Sequence, residues 1–280
     1  MSMVFCHQNI LFMAGFGDYT LIMLTKKTAD RLVYLADKYE TKDFLTKDPS
    51  QFMHRYTDPA EMEIAAFLAA NMAFGRRDQI LSHTEAVLQA AGTDLLKWVQ
   101  NKGYRKFFTK GDSSYYRMYT HNDFLLFFDT VCTLIKESDT IGNHFKKIYT
   151  HPDNKGNYLT PLICNLFPEN CHLIPHSKGT AAKRINMFLR WMVRDNSPVD
   201  LGLWKDWYSK KNLLIPLDTH VMQEAATLSL FQLSKNGNVP SASFKTDVQL
   251  TNLMETVFPG DPCRADYALF GFGVDKDADS

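Results

Sequence analysis

The sequence predicts an all-α protein, and three observations carry that expectation. Apolar residues recur at helical spacing along most of the chain, as at Ile185, Phe188, Leu189, Met192 and Val193. Helix-start chemistry accompanies them: Asp58-Pro59-Ala60-Glu61 sets a capping side chain, a proline at the first helical position and an acid in the first turn. No stretch alternates apolar and polar residues as a half-buried strand would, and neither a hairpin turn signal nor an internal repeat stands out. At 280 residues and 45% hydrophobic, the chain can bury the core of one large or two modest domains.

Residues 1–22 contain no Lys or Arg, so the positive start of a secretory signal is missing, and the apolar run 10–16 is too short to span a bilayer. They are expected to be an N-terminal extension of doubtful role, with the folded unit occupying 23–280. Residues 28–39 read as a helix with Leu32, Val33, Leu35 and Ala36 on one side, and 41–56 as a loop. The helix begun at Asp58 continues through Ile64 to Phe74, almost wholly apolar and therefore buried on most faces, until Gly75-Arg76-Arg77 ends it. Helices follow at 79–91 and 94–100. Lys97, Lys102, Arg105, Lys106, Lys110 and Arg117 then interleave with Trp98, Tyr104, Phe107 and Phe108, the pattern of a core row with a cationic outer face or of a nucleic-acid groove. Further helices are expected at 124–138, 139–149 and 160–166, with a turn-rich break at 151–157.

The centre of the chain is the stretch 174–221. Ile174-Pro175-His176-Ser177-Lys178-Gly179 is turn-like and leads into a helix over 180–194 with Lys183 in its first turns. Asp195-Asn196-Ser197-Pro198 stops it, and Trp204, Trp207 and Tyr208 follow. Leu213-Leu214-Ile215-Pro216-Leu217-Asp218 then sets Asp218 where an N-cap belongs, before a helix over 219–232. Position 221 is Val221, so the reciprocal capping-box partner is missing. The last helices are expected at 244–258 and 264–273, separated by Pro259-Gly260-Asp261-Pro262.

The formal charge is zero and the pI about 7.1, but the charge is segregated. Between His176 and Lys211, eight basic residues (Lys178, Lys183, Arg184, Arg190, Arg194, Lys205, Lys210 and Lys211) stand against three acids (Asp195, Asp200 and Asp206). From Thr246 to Ser280, seven acids stand against Arg264 and Lys276. Such a distribution predicts either a basic face opposite an acidic one, as in a nucleic-acid-binding protein of neutral average charge, or chance clustering on solvated helices. The five cysteines (Cys6, Cys132, Cys164, Cys171 and Cys263) form no Cys-x-x-Cys pair, and the nine histidines no His-x-x-x-His pair on an expected helix. Neither a metal site nor an iron–sulfur cluster is therefore expected, and an odd number of unpatterned thiols suits a reducing cytoplasm.

Pro216-Leu217-Asp218-Thr219-His220-Val221 resembles the catalytic aspartate motif of the helix-hairpin-helix DNA glycosylases. The resemblance is nearest to the archaeal 8-oxoguanine glycosylase branch, which has an Ala-Lys helix start and a long lysine-to-aspartate connection. Ala182-Lys183 aligns with that start, and Asp218 follows Lys183 by 35 residues. The hairpin glycines of the endonuclease III branch are absent. From about Thr25 onward the chain also resembles a bacterial family known by a domain-of-unknown-function label, distantly related to these enzymes. The resemblance implies a two-lobed helical fold with a central cleft, one lobe formed by 58–194 and the other by 23–57 with 195–280.

It further implies a DNA repair glycosylase with abasic-site lyase activity on a damaged base, of which an oxidised purine is the example it suggests. Lys183 would be the Schiff-base nucleophile and Asp218 its charge-stabilising partner, with Lys178 the alternative nucleophile. DNA contacts would come from Asn71, as a wedge near a helix end, from Arg76 and Arg77, and from His176, Ser177, Lys178 and Arg184. Trp204, Trp207 and Tyr208 would flank the extruded base or, equally, pack the core. The expected partner is damaged DNA, with RNA left open; no cofactor, no membrane contact and a monomeric state are expected. A non-catalytic nucleic-acid-binding protein that keeps the fold is the alternative.

Overall fold

In a computed structural model of the protein, residues 5–6, 9–10, 24–176, 179–233 and 236–278 are described. The described chain is essentially all-α. Helix α1 spans Lys26–Tyr39, α2 Pro59–Met72, α3 Arg77–Ala91, α4 Leu95–Gln100, α5 Tyr104–Phe107 and α6 His121–Ser138. Then come α7 Ile141–Tyr149, α8 Leu159–Cys164, α9 Lys183–Val193, α10 Thr219–Thr227, α11 Phe244–Met254 and α12 Ala265–Ala278. A two-residue pair joins Phe5–Cys6 (β1) to Asn9–Ile10 (β2), and a small antiparallel hairpin joins Ser114–Tyr116 (β3) to Tyr119–Thr120 (β4).

Local chemistry sets the helix starts. Asp58 caps α2 by accepting from Ala60 N at 2.7 Å, with Pro59 opening the helix as its sequence requires. Thr120 and Asp123 form a full capping box on α6, and Ser243 and Thr246 do so on α11. Helix α2 is the hub of the core and packs on α3, α4, α7 and α9. At its centre the Phe67 ring lies 4.7 Å from Phe188, 5.1 Å from Phe127 and 5.6 Å from Phe167, centroid to centroid. A buried aromatic of this kind contributes roughly 1.5–3 kcal/mol through removal of its apolar surface from water. Helix α1 lies along α12, which also contacts α10, so the two ends of the described helical chain meet.

The structure departs from the sequence expectations in several places. Residues 42–47 and 49–55 form two 3₁₀ turns rather than a loop, because Phe52 and Met53 are driven into the core and Asp48 caps the second turn through Ser50 N. Strands β3 and β4, of three and two residues, form a hairpin that the sequence does not announce, being too short to carry a readable alternation. The α9 helix begins at Lys183 and not at residue 180: Gly179 and Ala182 both take positive φ, which no right-handed helix admits. Helix α10 ends at Thr227, where Ser229 at φ 57° turns the chain back. Helix α11 stops at Met254, short of residue 258.

Candidate active site

Lys183 and Asp218 are 35 residues apart in sequence, and the fold brings Lys183 Nζ to 2.7 Å from Asp218 Oδ2. Each is delivered by a restrained segment. The chain reaches Lys183 through Thr180, which bridges to Ser243, and through Gly179, whose carbonyl accepts from Phe244 N at 2.7 Å. Ala182 then adopts φ 47° and ψ 44°, a left-handed conformation that costs an L-residue about 1–2 kcal/mol. Asn186, 1% exposed, holds that conformation by donating to Ala181 O at 2.8 Å while accepting from Thr160 Oγ1 at 2.6 Å. Strain of this kind beside a candidate nucleophile fits a position fixed by its surroundings.

Asp218 arrives at the end of the buried strap 213–217. That strap is pinned by Ile215 N donating to Thr251 Oγ1 at 3.2 Å. The Asp218 oxygens divide their duties: Oδ1 accepts from Val221 N at 2.9 Å, capping α10, and Oδ2 accepts from Lys183. Burial pushes the Asp218 carboxyl up, but the Lys183 charge and hydrogen bond, the Val221 N–H and the His220 charge together hold it below its ordinary value. The side chains are about one-third exposed, 34% for Lys183 and 32% for Asp218, so a substrate can reach both.

A third carboxylate, for which the sequence carries no signal, stands close enough to sense the pair. Burial pushes the Asp266 carboxyl up, against the attraction of Arg190 and Lys183, while Asp218 adds to the rise. Arg190 on α9 and Arg194 just after its end, seven and eleven residues on from Lys183, are 2% exposed. Arg190 pairs with Asp266 and Asp200, and Arg194 with Asp200, Glu40 and Asp261. Tyr267 Oη donates to Asp200 Oδ1 at 3.1 Å. Arg190 and Arg194 are therefore interior and take no part in the basic face expected over 176–211. They meet Asp261 and Asp266 of the acidic C-terminal stretch inside the protein, where neither charge would be stable alone.

The other predicted site residues separate into three groups. Asn71 is fully buried and donates from Nδ2 to Phe67 O at 2.8 Å, so it presents no surface for a wedge. Trp204 is 2% exposed and donates from Nε1 to the buried Glu63 Oε1 at 2.7 Å; Tyr208 is 1% exposed and donates to Asn212 O at 3.0 Å. Trp207 is half-buried, set between Trp204 and Tyr149. These aromatics are core packing, because apolar spacing alone does not distinguish a ring in the core from one in a cleft.

Arg184 turns inward, donating from Nη1 to Asn71 O at 2.8 Å and to Tyr119 Oη at 2.6 Å, and burial lowers its pKa. It ties the first turn of α9 to the end of α2 and the hairpin, instead of facing a phosphate. Arg76 and Arg77 are exposed: Arg76 pairs with Asp78 at 2.8 Å, and Arg77 lies over the Phe270 ring. His176 is half-buried. Ser177 and Lys178 lie outside the described residues. Among the described residues no three His, Cys, Asp or Glu side chains converge as metal ligands, and no helix is long and apolar enough to cross a membrane. Compared with known families, residues 48–275 match one family model, described as a protein of unknown function, DUF2400. No curated protein and no solved structure matches the chain.

Proposed function

The chain belongs to the DUF2400 family, described as of unknown function, and from the placement of Lys183 and Asp218 we propose that it is a DNA repair glycosylase with abasic-site lyase activity, built on a two-lobed helix-hairpin-helix glycosylase scaffold. The observation that carries this reading is the 2.7 Å approach of an accessible lysine at a helix start to an accessible aspartate at another helix start. The packing of α1 on α12 is the contact that a second lobe built from both chain ends would make.

In the proposed reaction Lys183, once its ammonium has released a proton, attacks the anomeric carbon of the deoxyribose. The bond from that carbon to the base breaks, and the base leaves with its electron pair and takes up a proton. Opening of the sugar ring gives a protonated imine on Lys183. Loss of a proton from the neighbouring carbon then expels the 3′ phosphate, and water releases the lysine. Asp218 lies in reach of the amine proton and, held below its ordinary pKa, remains anionic to stabilise positive charge on the sugar. Selectivity for an oxidised purine would arise from pocket shape.

The resting pair also supports the second reading, a nucleic-acid-binding protein without catalysis, because an ion-paired ammonium is not a nucleophile. A strand-scission assay separates the two. A duplex with a single oxidised purine or abasic site should be nicked, in the presence of chelator, to a product of β-elimination. Binding without any nicking across a panel of lesions favours the binding-only reading, and activity that needs an added divalent ion points to a nuclease.

A further inference from the structure

A cleft of about 200 Å³ opens between the start of α3 and the β3–β4 hairpin, lined by Arg76, Gln79, His83, Tyr115, Tyr116 and Arg117. Its walls are fixed from behind: Tyr116 Oη donates to Phe74 O at 2.7 Å, and Tyr115 Oη donates to His83 O at 2.9 Å. His83 Nδ1 lies 2.8 Å from Gln79 O, which leaves Nε2 as its other polar atom.

Arg117 is the unusual member. The pairing of Tyr116 with Tyr119 leaves Arg117 and Met118 as a two-residue turn, and Arg117 takes φ 53°, where glycine or asparagine is the usual choice. Ser114 Oγ donates to Arg117 O at 2.6 Å and holds that turn. The guanidinium carbon lies 4.7 Å from the Phe74 ring centroid. Gly75 takes φ 108°, a conformation that favours glycine, and its lack of a side chain leaves room for Arg117 Nη1, which a Cβ there would approach to 2.4 Å. Among the described residues Arg117 meets no carboxylate. An exposed arginine is thus held against a ring, and among the described residues no hydrogen bond uses its guanidinium donors. Beside it Arg76 uses Nε and Nη2 on Asp78, at 3.1 and 2.8 Å, an exposed pair that an incoming anion can displace.

We propose that this cleft binds a phosphate oxyanion, with Arg117 as the bidentate donor and Arg76 and His83 flanking it. The oxyanion is either a nucleic-acid backbone phosphate or a free phosphate group; the first source rests on the glycosylase reading, the second does not. The hairpin is also tied to the first turn of α9 through Arg184 and Tyr119, which sets the cleft in a fixed relation to Lys183.

Two measurements on the full chain, made with wild type, Arg117→Gln and the exposed Arg76→Gln, test the proposal. In one, inorganic phosphate is titrated and the thermal midpoint followed; in the other, affinity for a duplex with one abasic-site analogue is measured against salt. A backbone site predicts that Arg117→Gln binds the duplex on the order of tenfold more weakly and lowers the slope of log affinity against log salt by about one, with a smaller change for Arg76→Gln. A free-phosphate site predicts a phosphate-dependent rise in midpoint that Arg117→Gln loses, with the duplex slope unchanged. If neither measurement responds to either substitution, the cleft is not an oxyanion site. Should Arg117→Gln fail to fold, Arg76→Gln decides: a weaker duplex affinity with a lower salt slope, or a smaller phosphate-dependent rise in midpoint, supports the site, and no change in either overturns it. A wild type that traps no imine sinks the glycosylase reading alone, because the phosphate titration still decides the cleft.

Discussion

Arg184, the residue after the candidate nucleophile, donates its Nη1 to the backbone carbonyl of Asn71 at 2.8 Å and so joins the start of α9 to the end of α2. The same nitrogen reaches Tyr119 Oη, and the guanidinium carbon lies 5.3 Å from the Tyr119 ring centroid. Arg184→Met keeps much of the length and removes every donor. It is expected to cost on the order of 1–3 kcal/mol, because the Asn71 carbonyl and the Tyr119 hydroxyl lose a charged partner. Urea denaturation measures this; an unchanged midpoint would show that the contact contributes nothing to the fold.

Asp218→Asn separates capping from charge. Asparagine retains an oxygen for Val221 N, so α10 should keep its cap. Because the folded carboxyl is held below its ordinary value, the stability it adds is present above the unfolded-state pKa of about 3.9 and is lost as pH falls through the lower folded value. Wild type should therefore exceed Asp218→Asn in stability at neutral pH, and the gap should close on acidification below about pH 4. With both side chains partly exposed, solvent screening limits the neutral-pH gap to roughly 1 kcal/mol or less. A gap that instead widens in acid contradicts the assigned sign.

Trp204→Phe tests the assignment of that ring to the core. The substitution leaves Glu63 Oε1 without its indole donor, although Gly142 N still donates to Oε2 at 2.9 Å. A loss of about 1–3 kcal/mol is expected from the unsatisfied buried oxygen and, under the proposed glycosylase activity, no change in lesion preference. If stability holds and lesion preference shifts, the ring belongs to a base pocket after all.

Arg194→Met removes the cation that Asp200, Glu40 and Asp261 share. Breaking a buried pair from one side strands the partner charges, so a loss of about 3–5 kcal/mol is expected in chemical denaturation. A variant as stable as wild type would show that the buried carboxyls take up protons without penalty.

Helix α2 is readable from sequence because its cap, its proline and its continuous apolar run all lie within the helix itself. The approach of Lys183 to Asp218 is expected from motif resemblance, whereas no local periodicity could supply it. What escapes reading is tertiary. Arg190 and Arg194 look like surface cations until Asp200, Asp261 and Asp266 are brought to them. Asn71 looks like a helix-end polar residue until Phe67 O claims its amide. Arg117 is one cation among many, since nothing in sequence announces a two-residue turn that places an arginine at positive φ.

The most direct measurement is borohydride trapping of the full chain on a duplex with a damaged or abasic site. Reduction converts a transient imine to a stable amine, so a covalent adduct reports a lysine nucleophile and not binding alone. Wild type should form the adduct and Lys183→Gln should form none, with its fold intact because glutamine has nearly the helix propensity of lysine. An adduct that persists in Lys183→Gln and disappears in Lys178→Gln would move the nucleophile to Lys178; no adduct from wild type on any lesion would contradict the account.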